Sequence, residues 1–265
     1  MQLHFHQVDA FSDRPFAGNP AMVYHLEQWL DDALMQQIAA EHNLAETAFV
    51  VAEGEGYRIR WFTPATEVPL CGHATLASAH VLFEVYGEQK PRLDFQSLSG
   101  PLSVAREGGR LWLDFPRIDP QPMAESVAVA VAVAVAEALG CGVQEVYQTK
   151  ELLVVLASEQ AVRACEPDMV ALARLPGLGV IVTAPGEEHD FVSRYFAPSI
   201  GIPEDPVTGS IHCSLIPYWA ARLGRSQLHA FQLSARGGEL FCRLQGQRVK
   251  IGGQARLVAS GTLVL

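Results

Sequence analysis

Arg60-Trp61-Phe62-Thr63-Pro64 recurs as Arg194-Tyr195-Phe196-Ala197-Pro198, a self-similarity with a period of about 135 residues. Beyond each copy, Val68-Pro69 recurs as Ile202-Pro203. Both runs then reach a glycine, Gly72 and Gly209, followed by an apolar stretch, and the second copy has three extra residues before its glycine. The register resumes downstream. Gly100-x-Leu102-x-Val104 matches Gly238-x-Leu240-x-Cys242, and Gly108-x-Arg110-Leu111-x-Leu113 matches Gly246-x-Arg248-Val249-x-Ile251. Chance does not keep one register over so many positions, so the chain reads as two copies of one α/β unit.

Within a copy, the alternation of Tyr57–Phe62 and of Phe191–Phe196 predicts strands. The stretches Ala74–Phe83 and Ile211–Leu223 are apolar nearly all round, which predicts buried helices. Each copy is therefore expected to wrap a sheet around one central helix. The proline-rich segment 116–122, Pro-Arg-Ile-Asp-Pro-Gln-Pro, marks the joint. The expected halves are residues 1–117 and 118–254.

The composition narrows the function. The chain has 265 residues, 49% hydrophobic, enough for a large core. A net charge of -10 argues against nucleic acid, which calls for basic patches. Five cysteines with no C-x-x-C spacing suggest neither a disulfide framework nor a zinc site, and no metal or cofactor is expected. The first residues, MQLHFHQVDAFSD, carry no basic or long apolar signal region, so a cytoplasmic protein is expected. The run Val127–Ala136 is too short to span a bilayer. Its Val/Ala alternation fits a strand buried on one face or a helix; Ser126 as N-cap and Gly140 as stop favour the helix.

Each buried helix follows a short polar loop, Pro69–Thr75 in one copy and Pro203–Ser210 in the other. Helix starts offer free N–H groups and a partial positive charge. Two of them facing each other across a cleft would suit a small carboxylate. Thr75, Asp205 and Ser210 could equally serve as caps. Ionisable or nucleophilic candidates gather in these loops: Cys71, His73, Asp205 and Ser210; His212, at the second helix start, reads as packing. Glu46 stands apart, at the entry to the strand opening with Phe49-Val50-Val51. A partly desolvated carboxylate suits proton shuttling, although an exposed glutamate after the helix Ala33–Asn43 is the plainer alternative. Paired thiols could racemise an α-carbon, but the second copy offers Asp205-Pro-Val-Thr208 where a partner of Cys71 would be needed.

Asp9-Ala-Phe11, Phe16-Ala-Gly-Asn-Pro20, Asn43–Phe49, Arg60–Pro64, Leu70–Thr75 and Glu204–Ser210 together resemble the phenazine-biosynthesis PhzF-like family, over nearly the whole chain. The resemblance implies a diaminopimelate epimerase-like fold: two halves, each a mixed, mainly antiparallel barrel-like sheet around a central helix, the final strand (about 255–265) returning to the first half. It implies a homodimeric, cofactor-free isomerase that moves a carbon-bound proton on a small carboxylate such as a dihydro-hydroxyanthranilate. Glu46 matches the family's catalytic glutamate and His73 its active-site histidine. Asp205 and Ser210 match substrate contacts. With the helix starts, this gives Glu46, His73 and Asp205 as expected catalytic residues. Asn19, Gly72, Ala74, Thr208, Gly209 and Ser210 are expected to bind substrate. The alternatives are a racemase using Cys71 and a non-catalytic metabolite-binding protein.

Overall fold

The computed structural model describes all of residues 1–265. The fold is mixed α/β, rich in strands and poor in helices. The chain divides into two compact units, Met1–Phe115 with Lys250–Leu265, and Pro116–Val249. The first unit runs β1 (Gln2–Ala10), β2 (Asn19–Leu26), α1 (Asp32–His42), β3 (Glu46–Glu53), β4 (Gly56–Phe62), β5 (Glu67–Val68), α2 (Gly72–Glu84), β6 (Arg92–Ser97), β7 (Gly100–Glu107) and β8 (Arg110–Pro116). The second runs β9 (Gln121–Pro122), α3 (Glu125–Leu139), β10 (Glu145–Gln148), β11 (Leu152–Val155), α4 (Glu159–Arg163), α5 (Met169–Leu172), β12 (Val180–Pro185), β13 (Phe191–Phe196), α6 (His212–Leu223), β14 (Gln227–Gln232) and β15 (Gly238–Gln245). The chain then continues through β16 (Arg248–Gly253) to β17 (Ala255–Val264).

The repeat in the sequence reappears as a repeat in strand pairing. In the first unit β2 and β3 pair parallel, β3 and β4 antiparallel, β4 and β6 parallel, β6 and β7 antiparallel. In the second unit β11, β12, β13, β14 and β15 repeat that alternation. The recurring Arg-aromatic-Phe run lies on β4 and β13. In both, the arginine sits over the phenylalanine two residues on: Arg60 is 5.2 Å from the Phe62 ring centroid and Arg194 is 4.7 Å from that of Phe196. Both arginines also fork onto a glutamate. Arg60 donates to Glu67 at 2.8 and 2.7 Å, and Arg194 to Glu204 at 2.7 and 3.1 Å. The planar guanidinium explains why arginine stands there in both copies.

The two apolar helices are buried as their composition demands. In α2 every residue from Gly72 to Phe83 except His80 is buried, and the helix lies against β1, β2, β3, β7 and β17. In α6 the buried run is His212–Pro217 with Trp219 and Ala220. Pro217 interrupts this helix and leaves the Cys213 carbonyl without its usual helical donor; the Ile118 N–H takes it at 3.0 Å. In the first unit, β17 closes the sheet against β1 over its full length, from Gln2↔Val264 to Ala10↔Ala255.

The Val/Ala run is a helix, α3, and Gly140 ends it in the left-handed region at φ 66°. Ser126 is not its N-cap: the helix begins one residue earlier, at Glu125, after Ala124, and no side chain caps it. The 3.6-residue turn puts Val131 and Val135 against the core and leaves Val127, Val129 and Val133 exposed. No helix is long and apolar enough to cross a membrane.

Candidate active site

Two glycine- and asparagine-dependent turns set up a buried polar cluster in the first unit. Gly18 sits at φ 70°, and a Cβ there would lie 2.2 Å from the Ala10 carbonyl oxygen, so only glycine lets β1 turn into β2 at Asn19. Asn43 ends α1 in the left-handed region (φ 50°), its N–H bonded to Ala39 O. Three residues later Glu46 opens β3, in register with Ala21 of β2. The third contributor is the start of α2, where Cys71 is the cap residue and His73 lies in the first turn.

These segments bring together Asn19, Glu46, Cys71 and His73, all buried. Nε2 of His73 lies 3.1 Å from Oε2 of Glu46. The approach is off the line of the ring N–H, so neither atom has an aligned hydrogen-bond partner. On the far side of the ring, the Asn19 amide group lies 3.2 Å from Nδ1. Cys71 Sγ is 3.6 Å from the same Nδ1.

The electrostatics separate the imidazole from the thiol. Burial, with the Glu46 charge beside it, pushes the Cys71 thiol up, so it stays protonated. His73 is raised well above the ordinary imidazole range: burial opposes its charge, and the Glu46 carboxylate beside it favours it. Glu46, Cys71 and His73 have ligand atoms within 4.8 Å of one another.

Thr75 does not cap α2. Its hydroxyl donates back to the Cys71 carbonyl from inside the helix, leaving the first N–H groups without a side-chain acceptor. Gly72 and Ala74 lie in this uncapped, buried turn.

In the second unit the loop before α6 is held from an unexpected side. Thr208 donates its hydroxyl to Asp205, and its N–H donates to Gln232 Oε1 at 2.8 Å. Gln232 Nε2 donates to Asp205 O at 2.9 Å. Fully buried Gln232, the last residue of β14, thus staples both ends of the Asp205–Thr208 turn. A lone glutamine at a strand end gives no sequence signal, and it was not foreseen. Neither Asp205 nor Ser210 caps α6: the helix starts at His212 after Ile211, without a side-chain cap, because a tight turn through Gly209 leads in. Ser210 is exposed, Gly209 buried. His212 is packing, as expected: Nδ1 donates to Thr208 O at 2.8 Å, and burial drives the ring down to about 4.

Comparison with known proteins agrees with this architecture. The family model described as phenazine biosynthesis-like protein matches residues 8–261. An uncharacterized isomerase of Pseudomonas aeruginosa is 64% identical, with all of both chains covered. A crystal structure of a PhzF-family phenazine biosynthesis protein from Enterococcus faecalis superposes with a TM-score of 0.96 at 48% identity, again over all of both chains. A hydroxyproline epimerase from Agrobacterium vitis shares the fold alone, with a TM-score of 0.59 at 10% identity over 99% of this chain and 92% of its own. The chain therefore belongs to the phenazine biosynthesis-like, or PhzF, family.

Proposed function

We propose that this protein is an isomerase that shifts a carbon-bound proton on a small carboxylate substrate without a cofactor, and that Glu46 is its general acid and base. One observation carries the reading. A buried carboxylate and a buried imidazole nitrogen face each other at 3.1 Å with no aligned partner for either. Polar atoms buried in this way are costly unless something completes their bonding, and a substrate can do so. The relatives named as isomerases support the reaction class.

In the proposed reaction, Oε2 of Glu46 accepts a proton from an activated C–H and returns it to a different carbon of the same conjugated system. His73, kept in place by Asn19, donates from Nε2 to a developing negative charge. Asn19, Gly72 and Ala74 border the reacting group in this unit. The motif likeness supports Asp205, Thr208, Gly209 and Ser210 as substrate-binding residues. The Asp205 carboxylate suits an amino or hydroxyl group, and the exposed Ser210 hydroxyl a carboxylate.

A racemase working through Cys71 is the competing reading; it is opposed by burial that keeps the thiol protonated. The deciding experiment is proton exchange in deuterium oxide with a panel of small cyclic and amino carboxylates. Deuterium incorporation that wild type catalyses and Glu46→Gln does not supports the proposal; incorporation at the wild-type rate by Glu46→Gln refutes it.

A further inference from the structure

Three segments of the second unit bring two imidazoles and a carboxylate together: the hairpin between β12 and β13, and the adjacent strands β14 and β15. On β14, half-buried His229 and Phe231 alternate with buried Leu228, Ala230 and Gln232 and so share the opposite face of the sheet, where Phe231 packs at the edge of the core cluster that holds Val192 and Leu233. On the antiparallel neighbour β15, Phe241 is directly opposite His229, and Glu239 opposite Phe231. Glu239 is thereby the diagonal neighbour of His229, and its Oε1 lies 2.7 Å from His229 Nε2. His189 comes from the hairpin between β12 and β13. Its ring is 4.7 Å from that of His229 and 5.1 Å from that of Phe231.

We propose that His189, His229 and Glu239 form a binding site for a divalent transition-metal ion of the zinc, nickel or cobalt type, with remaining positions open to water. One ligand atom from each residue lies within 4.8 Å of the other two. An ion held at about 2.0–2.2 Å from imidazole nitrogen and carboxylate oxygen would draw the three ligand atoms in onto a common centre. Two imidazoles with one carboxylate form a donor set that such ions prefer over calcium or magnesium.

The surroundings favour a cation. His229 is stacked flat on Phe241 (4.7 Å between centroids, 9° between planes), which fixes the ring. Its backbone N–H donates to Asp190 Oδ2 at 2.7 Å, and the Asp190 N–H donates to His229 O at 2.8 Å, which ties the hairpin of His189 to β14. Glu159 and Glu188 add negative potential at His189. The side chains of His229 and Glu239 are 36% and 39% exposed, so an ion can enter from solvent. No short ligand motif holds the three residues; hairpin contact and strand register unite them.

The test is calorimetric titration of the full, untagged, metal-stripped chain with zinc chloride, repeated with cobalt chloride under an absorption spectrometer. The expected result is one ion per chain. His189→Ala and Glu239→Gln should each weaken binding about tenfold or more, on the scale of a lost contact at a metal site. Cys71→Ser should leave binding unchanged, and the cobalt form should lack a thiolate charge-transfer band. Glu239→Gln keeps the size and polarity of the side chain, and a wild-type melting curve for it excludes misfolding as the cause of the loss. Absence of stoichiometric binding by wild type overturns the proposal. So does wild-type affinity in Glu239→Gln, or binding that is lost in Cys71→Ser, which would move the ion to Glu46, Cys71 and His73.

Discussion

Nε2 of His73 stands 3.1 Å from Oε2 of Glu46, yet off the axis on which the ring N–H could donate. A pair in contact but not aligned is poised for a third group. Glu46→Gln keeps the shape and removes the proposed base. Turnover is expected to fall by at least about 10²–10⁴-fold, the range supplied by general acid–base catalysis. Ligand binding should change little. Steady-state kinetics with the substrate found by deuterium exchange, alongside a binding titration, checks both halves. A parallel fall in affinity and rate would make Glu46 a binding residue instead.

Cys71 touches His73 Nδ1 at 3.6 Å but is buried and held as a thiol. Cys71→Ser is expected to keep activity within about tenfold of wild type, because a lost acid or base costs about 10²–10⁴-fold. The variant should lose about 1–2 kcal/mol of stability, since a hydroxyl replaces a buried thiol. Urea melts and exchange rates measured on one preparation separate the two effects. A rate collapse in a stable Cys71→Ser protein would restore the racemase reading.

Gln232 spans the Asp205–Thr208 turn through a carbonyl and an N–H. Gln232→Leu removes both partners and strands two buried backbone groups. The expected cost is about 2–4 kcal/mol. If the turn serves substrate, the Michaelis constant should rise more than the turnover rate falls. Chemical denaturation and kinetics of this variant give the two numbers, and a fully stable Gln232→Leu protein would show that the staple does not hold the turn.

The architecture was readable because its cause is written periodically. Arg60-Trp-Phe and Arg194-Tyr-Phe fall on β4 and β13 and build the same arginine–glutamate fork over the same ring. Apolar-all-round helices could only be buried, and α2 and α6 are. The errors concern local hydrogen bonds that tertiary structure redirects. Thr75 has the residue type of a cap, yet its hydroxyl turns back to Cys71 O inside the helix. Ser126 likewise lies inside α3. Asn19 and Glu46 belong to one site because β2 and β3 pair in parallel, a long-range pairing that no local pattern encodes. Gln232 and the His189–His229–Glu239 cluster went unforeseen for the same reason: register, not spacing, assembles them.

His212 sets the last expectation, a pH dependence of stability. Burial depresses its folded value from 6.5 to about 4. Between those values the unfolded chain takes up the proton and the folded chain does not, so acid favours unfolding. The ring's contribution is fully present above pH 6.5 and is lost as pH falls toward 4. The total is about 3 kcal/mol, from roughly 1.4 kcal/mol per unit of depression. Below pH 4 the folded ring is protonated too, and this part of the slope ends. His212→Asn removes the titrating group. The variant should be less stable at pH 7, because the ring is fully buried and bonded to Thr208 O. Its stability should nevertheless fall less steeply between pH 6.5 and 4 than that of wild type. Guanidinium unfolding at half-unit pH steps measures both slopes; equal slopes would mean that His212 does not carry the acid sensitivity.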